Sequence, residues 1–519
     1  MQLSKLFLFL ILFLCPASCS GNIVKLKKFP PPNQVDVLVY GANPAGIISA
    51  ISAIREGKSA LIIEPTNRVG GIITGGLGFT DACKKDYIGG YAREYFQRIG
   101  ARYGKRIQWN LEPHVGEEVF IEMLNENKVP IIFNQDISSV EKKESKIKRI
   151  TLSSGKSFSA KVFIDASYEG DLLAKAGVSY RVGRESNSDF NETLAGFTGR
   201  IKRNHFDFSV SAYDSKGNLL PGVQKKDAPP LGTGDKQVMA YNYRPCLTKN
   251  IENQVPFPKP INYRESNYQI LARYLKNSKG KRLKDLLALH ETVRGKIDLN
   301  SKGPFSTDYL NASSDYVEAS KAKRKAIIAD HKTYNQGLLY FLANSKSVPE
   351  HIRKEMNSYG LCKDEFKKTN NWPHLLYVRE GRKLNGEYVL SESDLLTQRG
   401  KKDLIAWATC RIEVHHNQRL IDSNGNVYNE GIVALRNHPY QIPYRSIVPK
   451  ATEAENLIVP VAVSATTVAY SSLRMEPVFM ILGQAAGVAA SIAIDSESSV
   501  QDVDISNLQN SLRRKGQKL

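Results

Sequence analysis

Several kinds of signal are scarce in this 519-residue chain, and each scarcity removes a class of function. The six cysteines, at 15, 19, 83, 246, 362 and 410, include no C-x-x-C pair, so the thiolate spacing of an iron–sulfur cluster is missing. The nine histidines supply no H-E-x-x-H and no Cys/His set, which leaves no metal site legible in the sequence. Acidic residues number 52 against 72 basic ones, a net charge of +20. No helix-turn-helix, zinc finger or RNA-binding motif accompanies that charge, so nucleic acid is not an expected partner. The excess suits an anionic substrate, acidic glycans or a lipid surface, or else serves only solubility. The apolar stretch Val478 to Ile494 carries Gln484 and falls short of the ~20 residues of a transmembrane span. Internal repeats and low-complexity tracts are absent.

The strongest positive signal runs from Asp36 to Thr74. Val35 to Tyr40 is apolar and β-branched apart from Asp36, the pattern of a buried parallel strand. Gly41-Ala-Asn43-Pro-Ala45-Gly46 follows at once. Gly41 permits a tight turn, Gly46 allows close helix-to-strand packing, and Pro44 sits in the first helical turn. The free N–H groups of that turn, around Asn43 and Ala45, would face a pyrophosphate. A second strand, Leu61 to Ile63, ends at Glu64, placed for the hydroxyls of an adenosine ribose. The middle glycine of such a turn is replaced by Asn43. Asparagine tolerates positive φ better than other non-glycine residues, which predicts a looser turn that still binds.

A second cluster, Arg68-Val-Gly70-Gly71-Ile-Ile-Thr74-Gly75-Gly76-Leu77-Gly78, separates FAD from NAD. A chain passing flat beside a ribityl group and an isoalloxazine ring needs glycines there. Arg68 would offer charge to the pyrophosphate and Thr74 a hydroxyl. The bulky Ile72, Ile73, Leu77 and Phe79 argue against a polar linker.

From here the chain resembles the FAD-dependent oxidoreductase family found among exported bacterial proteins, of glutathione-reductase-like flavoprotein fold. The resemblance extends through Phe163–Asp171, Tyr241–Thr248, Pro304–Asp308, Trp372–Glu380, Ile442–Ser446 and Arg474–Pro477. It implies an α/β fold: a discontinuous Rossmann-like FAD-binding domain carrying an inserted α+β substrate domain. It also implies that the helix opening at Glu476 and Pro477 aims its N-terminus at the flavin, where its dipole steadies negative charge. Asp165 and Asp171 join the expected cofactor set. Asp171 reads equally as a ribityl-side carboxylate or as a helix N-cap. The family often carries histidine where this chain has Thr467, which puts the catalytic role of that position, and activity with it, in question.

The length calls for more than one core. The expected division is a signal peptide at 1–20, a linker at 21–34, FAD-binding segments at 35–172 and 430–497, a substrate domain at 173–429 and a basic tail at 498–519. Lys5 and the apolar run from Leu6 to Leu14 predict export, to the periplasm or beyond, with cleavage after Cys19 or Ser20, or lipid anchoring at Cys19. The leader holds no twin arginine, so FAD is expected to load after export.

His415 and His416 are the candidate bases, and Glu413 shares a strand face with His415 and would orient it. A hydrogen-bonded structural histidine is the alternative. Arg379 and Arg445 would hold a substrate oxygen or carboxylate, or else belong to an interdomain ion-pair network. No second nucleotide fingerprint appears, so the electron acceptor is external. The expected reaction is hydride transfer from a small polar molecule, a sugar or glycoside, to FAD. A flavin-bearing protein without turnover and an NAD-linked dehydrogenase are the alternatives.

Overall fold

The computed structural model describes residues 24–519 except Lys202, Lys279 and Gln398. The expected signal peptide, with Cys19, and the start of the linker lie outside the described residues.

The sequence from Gln34 folds as the strand–turn–helix–strand pattern requires. β1 (Gln34–Tyr40), α1 (Pro44–Arg55) and β2 (Ala60–Glu64) build the centre of a seven-stranded sheet. β1 lies between β2 and β6 (Ser157–Asp165), parallel to both, and β2 pairs in parallel with β3 (Ile131–Phe133). β4 (Ile137–Lys143) and β5 (Lys146–Leu152) add an antiparallel flap to the first half of β6. The second half of β6 pairs in parallel with Leu457–Ile458, so the far end of the chain completes the same sheet. α2 (Gly71–Gly75) follows the second glycine cluster, α3 (Gly90–Arg102) and α4 (Pro113–Glu126) pack beside it, and α5 (Asp171–Lys175) leaves β6.

A second core belongs to the insertion. Its five-stranded antiparallel sheet runs Leu287–Glu291, Lys296–Ser301, Cys246–Thr248, Gly360–Cys362 and Gln254–Val255 in spatial order. α6 (Gln269–Asn277), α7 (Lys321–Asn344) and α8 (Glu350–Asn357) surround an aromatic interior that includes the stacked pair Tyr309 and Tyr334. The buried members of this core run from Phe206 to Val378 with Val427, whereas Leu390 to Tyr440 contribute Ile405, Ala406 and Ile412 to the first core. The chain therefore rejoins the nucleotide-binding core well before residue 430.

α9 (Glu392–Thr397) and α10 (Thr467–Leu473) lead to α11 (Glu476–Asp495), the helix that closes the fold. α11 is long and apolar enough to cross a membrane, but it is packed inside the protein. A Cβ on Gly483 would stand 2.3 Å from the Ala45 carbonyl oxygen, and one on Gly487 2.3 Å from that of Ser49. Small residues are what let α11 lie against α1. Gln484, polar within an apolar helix, accepts from the Tyr91 N–H at 2.7 Å and so satisfies the start of α3. The expected basic tail is instead ordered: α12 (Ile505–Arg514) buries Leu508 and Leu512 in the first core. Its charges are the outer face of an amphipathic helix.

Among the described residues, two disulfides tie the chain. Cys246 and Cys362 face each other across neighbouring antiparallel strands, with Cα atoms 5.5 Å apart. Cys83 joins Cys410 at 5.3 Å, across 327 residues. Neither pairing is expected from the spacing of these cysteines.

Candidate functional site

A cavity of about 790 Å³ opens at the C-terminal ends of the parallel strands. Gly41, Asn43, Glu64, Arg68 and Gly71 line it on the side of the first domain. Gly41 has φ +104°, and a Cβ on Gly46 would stand 1.9 Å from the Gly41 carbonyl oxygen. Both positions therefore need glycine. Asn43 differs from expectation: its φ is −76°, and its side chain caps α1 by accepting from the Gly46 N–H at 3.0 Å. The turn does not need a third glycine because Asn43 lies in the ordinary extended region. Glu64 accepts from Ala42 N at 2.6 Å and Thr66 N at 2.7 Å, and burial pushes its carboxyl above the usual range.

Other expected cofactor residues frame the cavity rather than line it. Ala45 sits against Gly483. Gly70 has φ +91°, and a Cβ there would stand 2.3 Å from the Thr74 methyl carbon. Thr74 gives its hydroxyl to the Val69 carbonyl at 2.6 Å, so that hydroxyl closes its own loop and does not face a phosphate. Asp165 likewise turns inward. It accepts from Ser167 N at 3.0 Å, Ser167 Oγ at 2.6 Å and Leu173 N at 2.8 Å, and burial raises its carboxyl to about 6. Asp171 does line the cavity and is no N-cap, since Gly170 takes that position. Its carboxylate pairs with Arg324 at 2.6 Å and Arg382 at 2.9 Å. Arg324 comes from the first turns of α7, so the inserted domain supplies one wall. Arg68 pairs with Glu117 at 3.3 Å while lining the cavity.

Glu476 and Pro477 begin α11 at the far end. Tyr168, which lines the cavity, donates to Glu476 at 2.7 Å, and burial raises this carboxyl to about 8. Met475, one residue earlier, lines a second cavity of about 520 Å³. The helix N-terminus thus stands between two spaces.

The second cavity holds Glu413, His415, Arg379, Arg474, Arg244 and Tyr377. Ile412 and Val414 of the strand Ile412–Val414 are buried, so Glu413 and His415 project together into the cavity. They do not pair. Glu413 takes Arg411 at 2.6 Å and Arg203 at 3.3 Å, while His415 Nδ1 meets Asp308 Oδ2 at 2.9 Å. Asp308 also lies 2.8 Å from Arg379 Nη1, and Arg379 and His415 together hold its carboxyl well below the usual range. Burial and the neighbouring Arg379 lower His415 to about 4, so its imidazole is neutral near pH 7. Arg445 is elsewhere: half-exposed and paired with Asp403 at 2.9 Å, it belongs to a surface ion pair. Thr467 is buried apart from both cavities. It donates to Glu380 at 2.9 Å and accepts from Lys383 at 2.9 Å, holding the charged segment after Arg379 in place.

The model of the family described as FAD dependent oxidoreductase matches residues 36–512. The chain belongs to that family. Its cofactor is FAD, and the donor set and glycine-only approaches of the first cavity suit a dinucleotide. There is no significant match among curated proteins. Among solved structures, one of a geranylgeranyl bacteriochlorophyll reductase-like protein from Thermoplasma acidophilum shares 10% identity, with 93% of this chain and 84% of that chain covered and a TM-score of 0.38. A T. acidophilum thioredoxin reductase shares 18% over 26% of this chain and 35% of that chain, at a TM-score of 0.18. OTEMO in complex with FAD and NADP shares 20% over 25% of each chain, at 0.21. The matches thus span a quarter to about a third of the length of these last two proteins.

Sequence reasoning missed Tyr168, Asp308, Arg324 and Arg474. Tyr168, Asp308 and Arg474 lie inside segments that carry the family resemblance, but nothing local to them states a role. One carboxylate and histidine group, Glu112, His114 and Glu365, has the ligand types of a metal site. The Lys296 ammonium lies 2.7 Å from Glu112 and 2.8 Å from Glu365, and occupies the place of a cation.

Proposed function

We propose that this flavoprotein oxidises a small polar molecule bearing a CH–OH group, a sugar or glycoside, in the second cavity. The observation that carries the reading is the contact of His415 Nδ1 with Asp308 in a polar cavity beside the start of α11. With Nδ1 committed to Asp308, Nε2 is left with its lone pair for a substrate hydroxyl. His415 takes the hydroxyl proton, and Asp308 keeps the ring in one tautomer and steadies the charge it gains. Arg379, fixed by Asp308, adds positive potential beside the substrate oxygen. FAD, when bound, would supply the two-electron acceptor for the C–H hydride, while the O–H pair would become the new C=O bond. Glu64, Arg68, Gly41, Asn43 and Gly71 would hold the dinucleotide, with Asp171 at the ribityl side and the N-terminus of α11 at the ring. The final electron acceptor would be an external quinone, oxygen or small carrier.

The same reading places the protein outside the cytoplasm of a bacterium, soluble or anchored through Cys19. Pairing of all four cysteines among the described residues supports an oxidising compartment. The test is anaerobic mixing of holoenzyme with sugars, glycosides, hydroxy acids and amines. A CH–OH donor should bleach the flavin, and His415→Gln should stop it. Photoreducible flavin that no donor bleaches would leave a binding protein without turnover.

A further inference from the structure

Resting on the reading of the second cavity as the substrate site, we propose that its ligand is a small hydroxylated carboxylate, of sugar-acid size, whose carboxylate Arg474 holds. A count of the cavity's arginines and their carboxylate partners supports this. Arg244 is matched by Asp298, with two contacts of 2.8 Å, and Arg379 by Asp308. Arg203 and Arg411 share Glu413. Arg474 also lines this cavity and is 5% exposed, yet it makes no ion pair among the described residues. Its Nη1 donates to the Tyr377 hydroxyl at 3.1 Å, its Nη2 to the Glu413 carbonyl at 3.4 Å, and its Nε has no partner.

A buried guanidinium hydrogen-bonded only to neutral oxygens is costly unless an anion joins it. Its planar fork matches a carboxylate in particular. Around it, Asn204, Asn300, Ser301 and His290 offer neutral hydrogen-bonding groups for hydroxyls, and 520 Å³ accommodates a molecule of this size. Arg474 lies two residues before the start of α11, so the anionic oxygen has two sources, the ligand's carboxylate or the reduced flavin ring. Its place beside His415 favours the ligand.

The test titrates oxidised holoenzyme with D-glucuronate against D-glucose, and with acetate against acetamide, following the flavin absorption band. Each carboxylate should bind at least about tenfold tighter than its neutral counterpart, a difference of about 1.4 kcal/mol. Arg474→Gln should erase that preference and Arg474→Lys should retain part of it, with FAD content and circular dichroism unchanged. Equal binding within each pair, or no binding of any carboxylate by the wild-type holoenzyme, overturns the proposal without requiring a variant to fold. It also falls if Arg474→Gln lowers the flavin midpoint potential but leaves the carboxylate titrations unchanged, because the arginine then serves the ring. Bleaching by a neutral sugar, dependent on His415, alongside equal binding would sink the carboxylate assignment and leave the CH–OH oxidation reading standing. Tight glucuronate binding with no donor that bleaches the flavin would do the reverse.

Discussion

Asp308 bridges two groups: its Oδ2 lies 2.9 Å from His415 Nδ1 and its Oδ1 2.8 Å from Arg379 Nη1. His415→Gln should keep FAD and lower kcat by about 10²–10⁴-fold, the range for losing a general base. Asp308→Asn should lower kcat as well, and it should also lower stability by roughly 3–5 kcal/mol because Arg379 is left buried without its partner. Stopped-flow flavin reduction and thermal melts separate the two effects.

Glu413→Gln should change flavin reduction by only a few-fold. The Glu413 carboxylate is engaged by Arg411 and Arg203, and orients neither nitrogen of His415. A loss as large as that of His415→Gln would return the orienting role to Glu413.

The acid limb of the rate profile should lie near the His415 value of about 4, not near 6.5, since burial and Arg379 disfavour the imidazolium. Glu476 gives the opposite signature. Its folded carboxyl, raised to about 8, stays protonated while the unfolded one ionises near 4.5. Between those values the folded state binds more protons, so stability falls as pH rises from about 4.5 to 8 and levels off above. Glu476→Gln should flatten that slope in melts recorded across the range.

How much of this was legible follows from which contacts are local. The turn at Gly41, the strand ending at Glu64 and the small-residue face of α11 are written in short-range periodicity, and the fold shows each. The partner of His415 is not, because Asp308 arrives from a loop 107 residues earlier and alternation along one strand offers only Glu413. Arg445 and Thr74 misled for a related reason: a charged or hydroxylated residue beside a motif carries no mark of which way it faces. The tail at 498–519 reads as basic because half of an amphipathic helix is basic, and the docking of Leu508 and Leu512 appears only in three dimensions.

Reduction of the disulfides should lower the melting temperature. Removing the Cys83–Cys410 or the Cys246–Cys362 link by paired serine substitution should each cost on the order of 2–5 kcal/mol. The Cys83–Cys410 variant should also weaken substrate binding, because Asp81 and Arg411 beside those cysteines line the second cavity. Melts and ligand titrations of the two variants in parallel give the comparison.

The most direct measurement is the visible spectrum of the purified protein titrated with FAD, beside that of Gly46→Val, in which the new side chain meets the Gly41 carbonyl. The wild type should bind one flavin per chain and show its absorption bands, and the variant should bind none. Folded wild-type protein that takes up no FAD, or a variant that binds it equally well, would contradict the account.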